Sequence, residues 1–389
     1  MRIIFTTWAW PSHLYAMVPL AWACRAAGHE VLVSSQPELT ETILRTGLNA
    51  GPVGHDVDAV AVFRALAQSP PGPPSPRPKG TGGPRVLSLL RSLAEAMTDD
   101  LAALARRWRA DLIVSDPTAF AGPLAAAALG IPSVRHLYGT DLMSVVGRFL
   151  PDAIAPLRDE LGLDEVDPFG AATIDPCPGR LQVPIASRRL PMRYVPYNGP
   201  GVAPRDLPAR TSRPRVCVTW GTTMSRLDPG LFRTGQVART ISDLDVDVVA
   251  AVTSQQRAML GPLPPGVQIV ADTPLHLILP GCDLVVSHGG AGTLLTALAH
   301  GLPQLLVPRL PDHVRHAGRL AETGAATVVP VPDREAIRDR LAELLTAPSY
   351  RSAAEALGHE MRAQPSPAQV VRELELVATG VGATAPPAP

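Results

Sequence analysis

The chain has no surplus of charge: 35 lysines and arginines stand against 35 aspartates and glutamates, a formal net charge of zero. Nothing in that balance supplies the basic footprint that nucleic acid or an anionic membrane requires, so neither is an expected partner. Aromatic residues make up only 4% of the chain, which leaves alanine and leucine to carry the packing within an ordinary hydrophobic fraction of 46%. Cysteine is scarce too. Cys24, Cys177, Cys217 and Cys282 are scattered, form no C-x-x-C pair or His/Cys cluster, and argue for no disulfide framework and no metal site. No run approaches the roughly 18 uninterrupted apolar residues of a membrane span. The apolar N-terminus is broken by Pro11, Ser12 and His13 and lacks the charged start and small-residue cleavage site of a signal peptide, so a cytoplasmic protein is expected. The first loop, "TTWAWPSH", has no G-x-G-x-x-G, which removes a dinucleotide dehydrogenase.

What is present is a β-α alternation, run twice. A length of 389 residues favours two domains. Strand "RIIFTT" (2–7), a loop holding His13, a helix ending near Gly28 and strand "VLVSS" (31–35) open a doubly wound parallel sheet, and 104–136 repeats the rhythm. Between them, 67–85 is too rich in proline and glycine for a regular element and is expected to be a mobile flap. A second proline-rich stretch, 195–215, reads as interdomain chain, after which strands near 216–222, 247–253, 267–271 and 282–286 restart the pattern. The expected fold class is α/β. Its expected parts are a first domain over 1–200, a linker at 201–214, a second domain over 215–363, and a C-terminal helix and tail at 364–389 returning to the first. In two Rossmann-like domains, ligands gather at the carboxyl ends of the strands, which points to a cleft between them.

The candidate chemistry lies at those strand ends. "VSHGGAGTLLTALAHGLP" (286–303) places Gly289, Gly290 and Gly292 on a strand-to-helix turn, where free backbone N–H groups and a positive helix end favour an anion. The glycines could equally serve only a tight turn. His13 follows the first strand and Asp116 another strand of the same sheet. A carboxylate holding one imidazole nitrogen would leave the other free to take a proton, whereas the plainer roles are a loop histidine and a helix N-cap. Asp312 and His313 occupy a loop after strand "QLLV", where Asp312 suits either a helix cap or a sugar hydroxyl.

The segment "TPLHLILPGCDLVVSHGGAGTLLTALAHGLPQLLVPRLPDHVRHAGRLAETGAA", together with "PSHLYAMVPLAWACRAAGHEVLVSS" and "DLIVSDPTAFAGPLAAAALGIP", strongly resembles family 1 glycosyltransferases of the GT-B fold. The likeness is closest to the bacterial branch that decorates polyketides and other antibiotics with deoxysugars. It implies two Rossmann-like domains facing across a cleft, and an inverting transfer from a dTDP-deoxysugar to a small apolar aglycone. No cofactor and no metal are implied. His13 matches the family's acceptor base and Asp116 the carboxylate that orients it. Gly221, Thr222, Thr223, Pro274, Leu275, His288, Gly289, Gly290, Ala291, Gly292 and Thr293 match the donor site, with Asp312 and His313 facing the sugar. Where relatives place an aromatic residue before "PL", this chain has Asp272 and Thr273, and where many carry Asp-Gln it has Asp312-His313. An imidazole offers a flat, less polar face, which suits a deoxysugar better than glucose. A nucleotide-sugar 2-epimerase and a non-catalytic activator of another transferase share the architecture, and a homodimer is the assembly to be considered.

Overall fold

The computed structural model describes residues 1–61, 64, 85–184, 187–204 and 211–380; the expected flap, Arg85 excepted, and the linker centre 205–210 lie outside them. The chain divides into two compact units. The first is Met1–Pro176, Val183–Arg193 and Gln364–Pro389, and the second is Cys177–Gln182 and Tyr194–Ala363. The short piece 177–182 therefore belongs with the second unit although it lies inside the first expected domain, because Cys177 and Leu181 are buried among Leu294, Leu298, Leu320 and Leu357.

The first unit holds β1 (Arg2–Thr6), β2 (Glu30–Ser35), β3 (Asn49–Pro52), β4 (Leu112–Ser115), β5 (Ser133–His136), β6 (Ala172–Asp175) and β7 (Arg189–Pro191). They form one sheet in the order β3-β2-β1-β4-β5-β6-β7, and every pairing is parallel. Strands such as "LIVS" are buried on both faces and read as continuous apolar runs rather than alternating ones. The helix Pro367–Ala378 belongs to this unit and packs on Pro11–Ala26, and Glu375 lies 3.1 Å from His29 at the end of the latter.

The second unit holds β8 (Arg215–Thr219), β9 (Asp247–Val252), β10 (Gln268–Ala271), β11 (Leu284–Ser287), β12 (Gln304–Leu306) and β13 (Ala326–Val328), in the parallel order β10-β9-β8-β11-β12-β13. Chain order reverses between β1 and β4 in one sheet and between β8 and β11 in the other. Each reversal opens a crevice beyond the strand ends, where adjacent connections leave on opposite faces.

Charged groups are buried in the first sheet, Arg135 and Asp175 among them. Arg135 on β5 is 2% exposed, grips Asp141 with two N–H groups at 3.1 and 2.7 Å, donates to Thr173 Oγ1, and lies 4.5 Å over the Phe169 ring. Removing one partner of such a pair strands a charge, which costs about 3–5 kcal/mol. Arg135→Met is thus expected to lower unfolding free energy by that amount in urea titrations. A loss under about 1 kcal/mol, the level of an exposed pair, would contradict the buried pairing.

Candidate active site

In the first unit, the β1/β4 crevice assembles His13 and Asp116. His13 is not in a loop as the sequence suggests: Pro11 starts the helix Pro11–Ala26 two residues earlier, its fixed φ being suited to the first helical position. The imidazole is thereby held in the first helical turn. Its Nδ1 lies 2.9 Å from Asp116 Oδ2, with the carboxylate side chain 1% exposed and the imidazole 13%. Asp116 is no helix cap either, since the next helix begins at Ala121 with Phe120 before it. Instead its Oδ1 accepts the backbone N–H of Thr118 at 2.8 Å and the Thr118 hydroxyl, which in turn accepts from Trp8 Nε1 at 2.9 Å. With Oδ1 occupied, Oδ2 is the oxygen turned to the imidazole. A ring held through Nδ1 has Nε2 left for proton transfer.

In the second unit, His288 follows β11 and is 4% exposed, with Gly290 as the N-cap of the helix Ala291–Ala299. The first intrahelical bond is Leu294 N–H to Gly290 C=O, so the N–H groups of Ala291, Gly292 and Thr293 have no intrahelical partner. Gly289 has φ +82°, a conformation that side chains rarely adopt, and a Cβ on Gly290 would lie 2.5 Å from His288 Nε2. A Cβ on Gly292 would meet nothing within 4 Å. Across the switch point, Gly221 comes so close that its Cβ would be 3.0 Å from His288 Cε1, while Thr222 is exposed and Thr223 starts a short helix. The structure thus brings the glycine turn, His288 and the 221–223 loop together. Pro274 and Leu275 are buried, Leu275 within the core under β9 and β11, so they contribute packing.

Asp312 and His313 lie in the first turn of the helix Pro311–Glu322, not in a loop, and Asp312 does not cap it. Proline at the first helical position again explains the earlier start. The two side chains differ in exposure, although Asp312 Oδ2 lies 3.7 Å from His313 Nε2. Asp312 is 39% exposed, whereas the His313 ring is buried and meets the His288 ring edge-on at 4.6 Å. The flat face expected to meet a sugar ring is turned inward. Asp272 is also committed: with φ +50°, it accepts the Ser254 backbone N–H at 2.9 Å and the Ser254 hydroxyl.

Two braces were not apparent from the sequence. Gln256 donates to Gly221 C=O at 2.6 Å and Ser225 Oγ at 2.8 Å, fixing the loop after β8. Asn198 accepts His276 N–H and donates to Thr296 Oγ1, which donates to Gly292 C=O at 2.6 Å, while the Tyr194 hydroxyl lies 3.1 Å from Thr296 Oγ1. Burial pushes the Tyr194 phenol up to about 12. Only the capping pattern Thr253-x-x-Gln256 offered a sequence signal, and it points to a helix start rather than to a site.

Residues 236–377 match the C-terminal domain of the erythromycin biosynthesis protein CIII-like family, and residues 22–73 and 83–221 match its N-terminal domain. The chain belongs to that family. Its members similar to this chain include the TDP-daunosamine transferase DnrS of Streptomyces peucetius, 38% identical over 96% of both chains. The aclacinomycin-T 2-deoxy-L-fucose transferase of Streptomyces galilaeus is 35% identical, again over 96% of both. The solved structure of the glycosyltransferase VinC in complex with dTDP superposes with a TM-score of 0.81 at 37% identity, covering 98% of this chain and 100% of VinC. This family member is therefore a bacterial natural-product glycosyltransferase with the two Rossmann-like domains of the GT-B fold. These comparisons do not favour the epimerase and activator alternatives.

Three imidazoles are held neutral by their surroundings. Burial lowers His136, beside Asp116, to about 4 against the opposing pull of its Leu137 contact and the carboxylate. Burial first, and then the neighbouring His313, hold His288 well below 6.5, and burial outweighs Asp312 to lower His313. As pH falls below 6.5, the unfolded chain takes up protons that the folded chain refuses, so stability is expected to decline between pH 6.5 and about 4. His136 alone corresponds to a loss of up to about 3 kcal/mol across that window. Urea midpoints at pH 7 and pH 4.5 measure the effect, and equal midpoints would show that these rings are charged in the folded protein.

Proposed function

We propose that the protein is an inverting transferase that moves a deoxysugar from its TDP conjugate onto a small apolar, polyketide-type aglycone in the cytoplasm during antibiotic biosynthesis. The observation that carries the reading is the His13–Asp116 pair, an imidazole with one nitrogen on a buried carboxylate and the other available. His13 takes the proton of an acceptor hydroxyl through Nε2 as the oxygen attacks the anomeric carbon. The bond from that carbon to the diphosphate breaks, the nucleoside diphosphate leaves, and configuration inverts because attack and departure occur on opposite faces. Asp116 stabilises the imidazolium that forms.

The leaving diphosphate is assigned to the free N–H groups of Ala291, Gly292 and Thr293, with His288 as a neutral donor and the 221–223 loop beside it. Helix N-terminus and imidazole then offset developing charge in place of a metal. Asp312, half-buried at the start of the next helix, is assigned to a sugar hydroxyl. The preference for a deoxysugar is supported by the named donors of the relatives and not by His313, whose ring is buried.

General-base catalysis contributes about 10²–10⁴-fold, so His13→Ala is expected to lose that much turnover with a TDP-deoxysugar and leave dTDP affinity unchanged. Asp116→Asn is expected to be equally damaging. Thr118 would retain the amide oxygen, turning the NH₂ toward Nδ1 and forcing the proton onto Nε2, the wrong tautomer for a base. Full transfer by His13→Ala would refute the proposed base.

Gly292→Val tests the diphosphate assignment more cleanly than a change at Gly290, because a Cβ at Gly292 meets no protein atom within 4 Å whereas one at Gly290 would meet the His288 ring. Valine keeps its backbone N–H, but its side chain would stand in the open space beside the free N–H groups and hold the diphosphate off them, so dTDP binding should weaken about 10- to 100-fold in calorimetry while the thermal transition stays in place. Unchanged affinity in the folded variant would place the diphosphate elsewhere.

A further inference from the structure

Beyond Asp116, a second group touches the His13 ring. Tyr138 follows β5, and its ring centroid lies 4.2 Å from that of the imidazole at an interplanar angle of 37°, while Trp8 meets the imidazole edge-on at 5.1 Å. The turn that carries Tyr138 is clamped at both ends. Arg135, three residues before it, grips Asp141, three residues after it, and Leu137 donates its N–H to Ile174 C=O on β6 at 2.9 Å. A buried ion pair thereby holds an aromatic face against the imidazole.

We propose that Tyr138 is a positioning residue that fixes the plane of the His13 ring and stabilises its protonated form through its π-face. An aromatic face carries negative charge density and attracts a cation within about 6 Å of its centroid, so the contact strengthens when the imidazole gains a proton. Among the described residues, the ionisable groups facing His13 are Asp116 from the loop after β4 and Tyr138 from the turn after β5, with His136 behind Asp116. Trp8, edge-on to the ring, is uncharged. Asp116 and Tyr138 thus act in the same direction, one through charge and one through its quadrupole. Thr118 Oγ1, 3.4 Å from Nδ1, keeps the ring in register with the carboxylate.

The inference rests on the reading of His13 as the base, but its test needs no acceptor and no donor. Full-length protein carrying labelled histidine is titrated by NMR, with the His13 resonance identified from its loss in His13→Gln. In Tyr138→Leu the His13 midpoint is expected to fall by roughly half a pH unit to one unit, and in Tyr138→Phe, which keeps the ring, to stay within about 0.3 of the wild type. The thermal transition and the dispersed amide spectrum are expected to be the same in all three, confirming intact folds, and calorimetry with dTDP to be unchanged. A midpoint unmoved in folded Tyr138→Leu, or moved equally in Tyr138→Phe, would overturn the proposal. Failure of the base reading would show separately, as transfer surviving in His13→Ala.

Discussion

Parallel pairing of strands that are remote in sequence is the constraint on which both sites depend. β1 pairs with β4 so that Thr6 lies opposite Ser115, and β8 pairs with β11 so that Thr219 lies opposite Ser287. Chain leaving the ends of paired strands emerges side by side, and the imidazole of His13 can reach Asp116 only because the register brings residues 6 and 115 together. A slip of one residue would turn every side chain of β4 to the other face and remove the carboxylate from reach. The same argument holds for Gly221 and His288 in the second sheet.

Within this frame, environment divides the labour among histidines. His13 keeps some exposure and a carboxylate partner. His288 and His313 are buried edge to face, and desolvation keeps them neutral. In the proposed mechanism one residue type supplies a base in one unit and an uncharged donor in the other, a division that surroundings impose by pushing the proton affinities of like groups apart. Both His13 and His313 occupy the third position of a helix whose first position is proline, in "PSH" and "PDH". The backbone device is shared, and the chemistry differs because what surrounds each ring differs.

The alternation of buried apolar strands with helices was legible, because parallel strands covered on both faces leave continuous apolar runs in the chain. So was the glycine turn, where a positive φ at Gly289 and the close approach of the His288 ring to Gly290 permit little side chain. The helices begin at Pro11 and Pro311, earlier than loops holding His13 and His313 would allow, because proline is a first helical residue as readily as a break. Less was legible wherever meaning depends on contacts distant in sequence. Nothing local distinguishes an outward from an inward ring at His313, nor marks Asn198, Gln256 or the Arg135–Asp141 pair as braces. Asp116 is legible as a partner for His13 or a helix cap, and its grip by Thr118 two residues on decides for the former.

The division of the chain has a consequence for recombination. It passes between its two compact units four times, after residues 176, 182, 193 and 363. Exchanging one half with a relative through a single splice near residue 194 would leave the first unit with a borrowed final helix, and the contact between His29 and Glu375 would have to form between sequences of different descent. A chimaera that keeps residues 364–380 with the parent of the first unit, and 177–182 with the parent of the second, preserves each core as a set. Modular exchange in this architecture is a matter of three-dimensional inheritance, and a cut that looks natural along the sequence divides what the fold keeps together.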